Sequence, residues 1–131
     1  MILVLDTSAA IEVVLQRNDA KQIGEKISEA DWVISPDVYI AEITNVFWKY
    51  YQFGDLSLEI CESAIDDALA IVDDIVSSRE FYKEAFALSC MTGHPVYDAM
   101  FLVLARRNNA TLLTKDKKLI KLAKKSSIRV E

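Results

Sequence analysis

The segment HPVYDAMFLVLARRNNATLLTKDKKL (94–119) reads as an apolar helix followed by an apolar strand, yet it sets Asp98 inside the helix and Asp116 just beyond the strand. Asp98 shares a helical face with Phe101, Leu102 and Ala105, so its carboxylate lies on a stripe that should face protein. Burying it without compensation is costly. Glu42 repeats the pattern in another predicted helix, with Val38 and Tyr39 before it and Asn45 and Val46 after it. Asp6 closes the apolar run ILVL (2–5) and so stands at a strand end, as Asp116 does after ATLLT (110–114). Each acid has an ordinary structural alternative. Asp6 and Asp116 can cap the helices that follow them, Asp98 can accept first-turn N–H groups, and Glu42 can snorkel to a rim or pair with a lysine.

Gathered at one edge, four carboxylates repel one another unless protons or cations balance them. An all-oxygen donor set without thiolate or imidazole favours Mg2+ or Mn2+. One or two such ions lower the pKa of a bound water, align it for attack on phosphorus and neutralise the phosphoryl oxygens, which is metal-assisted phosphodiester hydrolysis. In that chemistry Asp6 and Asp116 are the most direct ligands, Asp98 completes or orients the site, and Glu42 binds a second ion or positions the water. Thr7, Ser8, Asn45 and Thr114 offer neutral hydrogen bonds to waters or phosphate oxygens, with capping or core satisfaction as the alternative for each. A Cys/His site lacks material, because Cys61 and Cys90 are widely spaced and His94 is the sole histidine. Both cysteines are expected to be reduced core residues, and His94, beside Pro95, is given no catalytic role.

The elements that must position these acids alternate. Strand 2–5 enters a helix through Asp6-Thr7-Ser8, DAKQIGEKISEA (19–30) is an amphipathic helix, and WVIS (32–35) is the second strand. Pro36 suits a first helical turn, and the helix it would open runs to Gly54. Ser57 caps a helix whose apolar stripe includes Cys61, Ile65 and Leu69. A short strand is expected near 73–76, then a helix closed by Gly93, a very apolar helix from Pro95, strand 110–114, a basic helix and a last strand over 127–130. Short strands that are apolar throughout imply a parallel sheet covered on both faces. The predicted fold is therefore a three-layer α/β/α sandwich with a central parallel sheet of four or five strands, formed by one domain over residues 1–131. Ligands of such sheets collect beyond the strand carboxyl ends, where the strand order reverses.

Composition narrows the classes further. The chain is 52% apolar with three Gly and two Pro, which argues for long regular elements and against disorder or a disulfide scaffold. No run is long and apolar enough for a membrane span, and MILVL meets an aspartate at once, so a cytoplasmic location is expected. The net charge is −5, yet residues 106–131 hold nine Lys or Arg against Asp116 and Glu131. That basic end, with Arg106, Arg107, Lys117, Lys118, Lys121, Lys124 and Lys125, suits attraction to a polyanion backbone. The FWKYYQF run (47–53) carries more aromatics than one helix face needs and suits a protein contact surface.

The order VLDTSAAIEVV, AEITNVFW, VYDAMFLVLA and LLTKD resembles the PIN-domain nucleases, in particular the VapC-type toxin ribonucleases of type II toxin–antitoxin systems. The resemblance spans essentially the whole chain, and the family's acids fall on Asp6, Glu42, Asp98 and Asp116, with Asn45, Thr7, Ser8 and Thr114 matching its neutral positions. It implies a Mg2+- or Mn2+-dependent endoribonuclease acting on RNA, often a homodimer, inhibited by a cognate antitoxin. A metal-dependent phosphatase, a non-catalytic phospho-receiver and a purely structural interaction module are the competing classes.

Overall fold

A computed structural model describes residues 1–131. Strand β1 (Ile2–Leu5) leads into helices α1 (Thr7–Val14) and α2 (Ala20–Glu29). Strand β2 (Trp32–Pro36), α3 (Val38–Phe53) and α4 (Leu58–Ile71) follow, then β3 (Asp74–Val76) and a 3-10 turn at Ser78–Glu80. Helices α5 (Tyr82–Thr92) and α6 (Val96–Arg107), strand β4 (Thr111–Leu113) and α7 (Lys117–Lys125) complete the chain. The four strands are parallel, in the order β3-β2-β1-β4. The result is an α/β/α sandwich. Right-handed crossovers put the connections from β1 to β3 on one face, and the return past β1 to β4 puts α5 and α6 on the other.

Double coverage explains the sequence of β1, whose Leu3, Val4 and Leu5 are all fully buried although alternate residues point to opposite faces. They belong to one apolar cluster that takes in Ile34, Tyr39, Phe47 and most of α6, from Phe101 to Ala105. The strand order reverses at β1, with β2 on one side and β4 on the other. The two strand ends that release Asp6 and the Thr114-Lys115-Asp116 segment are therefore neighbours, tied by the Asp6 N–H to the Leu113 carbonyl at 3.2 Å.

Several boundaries differ from expectation. Pro36 does not open a helix; it ends β2 in register with Val76, where its fixed φ is compatible with the extended chain, and α3 starts at Val38. The expected last strand survives as a single parallel bridge between Val130 and Leu112, because the segment after α7 returns to β4 only at its final residues. Cys61 is buried as expected, but Cys90 is exposed, on the outer side of α5, which buries only Ala85 and Leu88. Both are free thiols. Gly93 closes α5 with φ 75°, the left-handed region that Gly enters without penalty. No helix is long and apolar enough to cross a membrane.

Candidate active site

Asp6 is built into the start of α1. Its Oδ1 accepts the Ala9 N–H at 3.1 Å, so the capping role foreseen as a rival is real. Capping does not exhaust it. Ser8 Oγ donates to the same oxygen at 2.7 Å, and Thr114 Oγ1 donates to Oδ2 at 2.6 Å. Both hydroxyls are aimed by the backbone, since Ser8 Oγ accepts the Lys115 N–H at 2.8 Å and Thr114 Oγ1 accepts the Asp116 N–H at 3.0 Å. With those lone pairs engaged, their protons are free to point at Asp6. Asp116 in turn caps α7, accepting the Lys118 and Leu119 N–H groups at 2.9 and 3.4 Å.

The helical acids complete the wall. Glu42, on α3, accepts the Thr7 hydroxyl at 2.6 Å. Asp98, in the first turn of α6, accepts no hydrogen bond from any protein group and is partly buried. All four acids line one cleft of about 530 Å3, together with Thr7, Ser8 and Asn45. Thr114 lies behind that surface, buried, and acts on the cleft through Asp6 and Ser8. The sequence-derived residues thus come together from β1, α3, α6 and the β4–α7 connection.

Burial raises the pKa of Asp6 above the ordinary carboxylate value; the Thr114, Ser8 and Ala9 hydrogen bonds oppose this, and the charge of Asp116 adds to it. Burial likewise raises Glu42, against its Thr7 bond and with the charges of Asp6, Asp98 and Asp116 behind it. Asp98 is raised by burial and by Asp116, while His94 and Lys118 pull it back down. Beneath them the buried Tyr39 hydroxyl donates to the Ala68 carbonyl at 2.7 Å, and burial together with Asp6 keeps it un-ionised. Three acids thus hold their negative charge reluctantly, which is the electrostatic condition of a site that gains from a cation.

Three charged lining residues escaped sequence reading: Glu12, Arg17 and Lys115. Lys115 is neutralised at the rim, where its ammonium meets Asp19 and lies 3.9 Å from Glu12. Arg17 makes no salt bridge; its guanidinium hydrogen-bonds the Tyr50 hydroxyl and lies 5.6 Å from the centre of that ring. It is the cleft cation without a carboxylate partner. An isolated arginine in a loop after an apolar helix carried no periodicity to reveal it, although the neighbouring Tyr50 belongs to the aromatic run already singled out.

Residues 3–125 match the family model described as the PIN domain. The chain belongs to the PIN-domain family. It is related to the VapC-type toxin nucleases of toxin–antitoxin systems. Ribonuclease VapC3 of Pyrobaculum aerophilum is 29% identical over 121 residues, covering 91% of this chain and 92% of that protein. Among solved structures, PAE2754 from Pyrobaculum aerophilum superposes with a TM-score of 0.78 at 17% identity, over 99% of this chain and 83% of its own. VapBC2 from Rickettsia felis, bound to a DNA fragment from its promoter, gives 0.70 at 19% identity, over 100% of this chain and 98% of the other. These two likenesses concern the PIN fold itself, the sheet and helices that deliver the acids to one edge.

As placed, the side chains of this PIN domain form no group of three acidic, Cys or His residues that could hold a metal ion by themselves. The donor chemistry nevertheless fits a hard cation that keeps part of its water. Mg2+ dehydrates reluctantly and is held by one or two carboxylates with waters completing the shell, so a cleft wide enough for those waters suits it better than a tight cage.

Proposed function

We propose that this PIN domain is a metal-dependent endoribonuclease that hydrolyses RNA phosphodiester bonds, and that it is the toxin of a toxin–antitoxin pair acting in the cytoplasm. The observation that carries the reading is the convergence of Asp6, Glu42, Asp98 and Asp116 in one cleft at the point where the strand order reverses. The name of the relative, Ribonuclease VapC3, supports RNA as substrate. The exposed side of α3, with Trp48, Tyr51 and Phe53, supports a protein partner, either a cognate antitoxin or a second copy in a homodimer.

In this mechanism Asp6 and Asp116 would hold Mg2+ or Mn2+, Asp98 would complete the site, and Glu42 would hold a second ion or orient water. When bound, such an ion would supply the acidity that activates a water and the charge that offsets the phosphoryl oxygens. Ser8 and Thr114 keep the Asp6 carboxylate fixed in direction, and Thr7 does the same for Glu42. Arg17 stands at the cleft ready to meet a phosphoryl oxygen with the N–H groups that Tyr50 leaves free. Asn45 offers a neutral amide for a water or phosphate oxygen. The test is cleavage of a mixed panel of structured RNAs with Mg2+ or Mn2+, beside an Asp6→Asn/Asp98→Asn double variant and a metal-free control. Discrete products that vanish in both controls are expected. Absence of cleavage by folded, metal-binding protein would move the phosphatase and phospho-receiver classes ahead.

A further inference from the structure

A second groove, of about 970 Å3, runs from the acid cleft between the α5–α6 turn and α7. The two depressions share Asp98, which lines both. Beyond Asp98 the groove has no other acidic residue; its charged lining is Arg106, Lys118, Lys121 and Lys125, with His94 near the junction. The lysines fall at intervals of three and four along α7 and so share one helical face, which Lys117 and Lys124 flank without lining the groove. None of the three makes a salt bridge, whereas Arg106 is engaged by Glu84 at 3.6 Å. Elsewhere the chain is strongly acidic, so three unpaired lysines in line with the acid cleft are a local reversal of sign.

We infer that this groove is a track for single-stranded RNA, holding through Lys118, Lys121 and Lys125 the phosphates on one side of the bond placed in the acid cleft. The inference deepens the nuclease reading and rests on it. A strand presented to four acids needs compensating positive charge nearby, and the groove offers it in direct continuity with the cleft. From Lys118 to Lys125 the helix rises roughly 10 Å, at about 1.5 Å per residue, which spans about three phosphates of a stacked strand at about 3.4 Å each. No Phe, Tyr or Trp lines the groove, so it offers no stacking platform, and its contacts go to the backbone. The track therefore sets affinity and the path of the strand, not base preference. Its proximity to the site is visible in the electrostatics, since Lys118 already pulls the Asp98 pKa down.

The experiment compares wild type with Lys118→Gln/Lys121→Gln/Lys125→Gln and with a charge-matched control on three other helices, Lys21→Gln/Lys49→Gln/Lys83→Gln, whose residues line neither depression. Binding of a short fluorescent 2′-O-methyl single-stranded RNA is followed by anisotropy in Mg2+, from about 50 to about 200 mM salt. The groove variant should bind at least about tenfold more weakly at low salt, with a log–log salt slope shallower by about 2, while the control keeps most of the wild-type slope. Equal losses in the two variants would overturn the inference, since net charge alone would then explain binding. Groove-dependent binding of polyglutamate without groove-dependent binding of RNA would also overturn it and assign the groove to an acidic protein segment. Cleavage of unmodified RNA by wild type is scored separately. Cleavage with groove-independent binding sinks the track alone, and groove-dependent binding without cleavage sinks the nuclease reading alone.

Discussion

Asp6 and Asp37 stand at equivalent places, each one residue beyond the end of neighbouring parallel strands, and their surroundings differ in kind. Asp37 Oδ2 accepts the backbone N–H and the hydroxyl of Ser78 at 3.0 and 3.1 Å, and it staples the turn after β3 to the end of β2. Asp6 is buried, surrounded by hydroxyls, and faces Asp116 and Glu42 with its proton affinity raised. Topology makes the difference. β2 has β3 beside it and the chain continues outward in one direction, so the next turn covers its end; β1 is where the connections diverge, and its end stays open. A carboxylate at a strand end therefore staples a neighbouring turn or lines a cleft according to the strand's place in the sheet.

That contrast can be broken most decisively by activity. Asp6→Asn or Asp98→Asn should lower RNA cleavage by about a hundredfold or more, the scale of a lost acid–base or metal-positioning group, whereas Asp37→Asn should stay within about twofold. Comparable losses at Asp37, measured as kcat on the same RNA, would erase the distinction.

The next effect is on metal. Saturating Mn2+, at about a hundred times its Kd, should stabilise the wild type by about 2.7 kcal/mol in thermal unfolding, and Asp37→Asn equally, but Asp6→Asn much less. Protons compete for the same oxygens. Because Asp6, Glu42 and Asp98 bind protons more tightly than ordinary carboxylates, that competition should begin as pH falls through the window above the usual Asp and Glu values. A Mn2+ affinity that holds constant across this window would contradict the electrostatic picture of the cleft.

Asp37→Ala should cost about 1 to 2 kcal/mol of folding stability by leaving the Ser78 N–H without its partner, with Mn2+ affinity untouched. The smallest effect has the opposite sign. Asp98 accepts no hydrogen bond, and its folded pKa lies above the unfolded value, so the folded state binds more protons in the window between the two. Stability of metal-free protein should therefore fall as pH rises through that window. Asp98→Asn should remove part of that loss, gaining less than about 1 kcal/mol at neutral pH because the partly exposed site is screened by solvent. Chemical denaturation with chelator present reads both.

The inward tilt of Asp98 and Glu42 was legible because helical period ties a residue to its neighbours' face, and the strand-end position of Asp6 followed from an apolar run stopping abruptly. Their meeting was legible only through the rule for parallel sheets and the family resemblance. Arg17 and Lys115 were not legible, since a loop residue takes its direction from tertiary contacts, here Tyr50 for one and Asp19 for the other. Pro36 misled because the same fixed φ serves a first helical turn and the end of a strand. Cys90 misled because a helix packed on one neighbour leaves more of its surface wet than composition suggests.

The Ser8 and Thr114 hydroxyls lie 3.2 Å apart, and either can donate to the other. When Asp6 gains a proton, the Thr114 hydrogen can swing from Asp6 to Ser8 while every heavy atom stays in place. Charging and discharging the carboxylate then asks only for rotation of a hydroxyl about its C–O bond. The polarity around Asp6 can thus reverse without a change of shape, so charged and neutral forms of the pocket should superimpose closely at Asp6, Ser8 and Thr114.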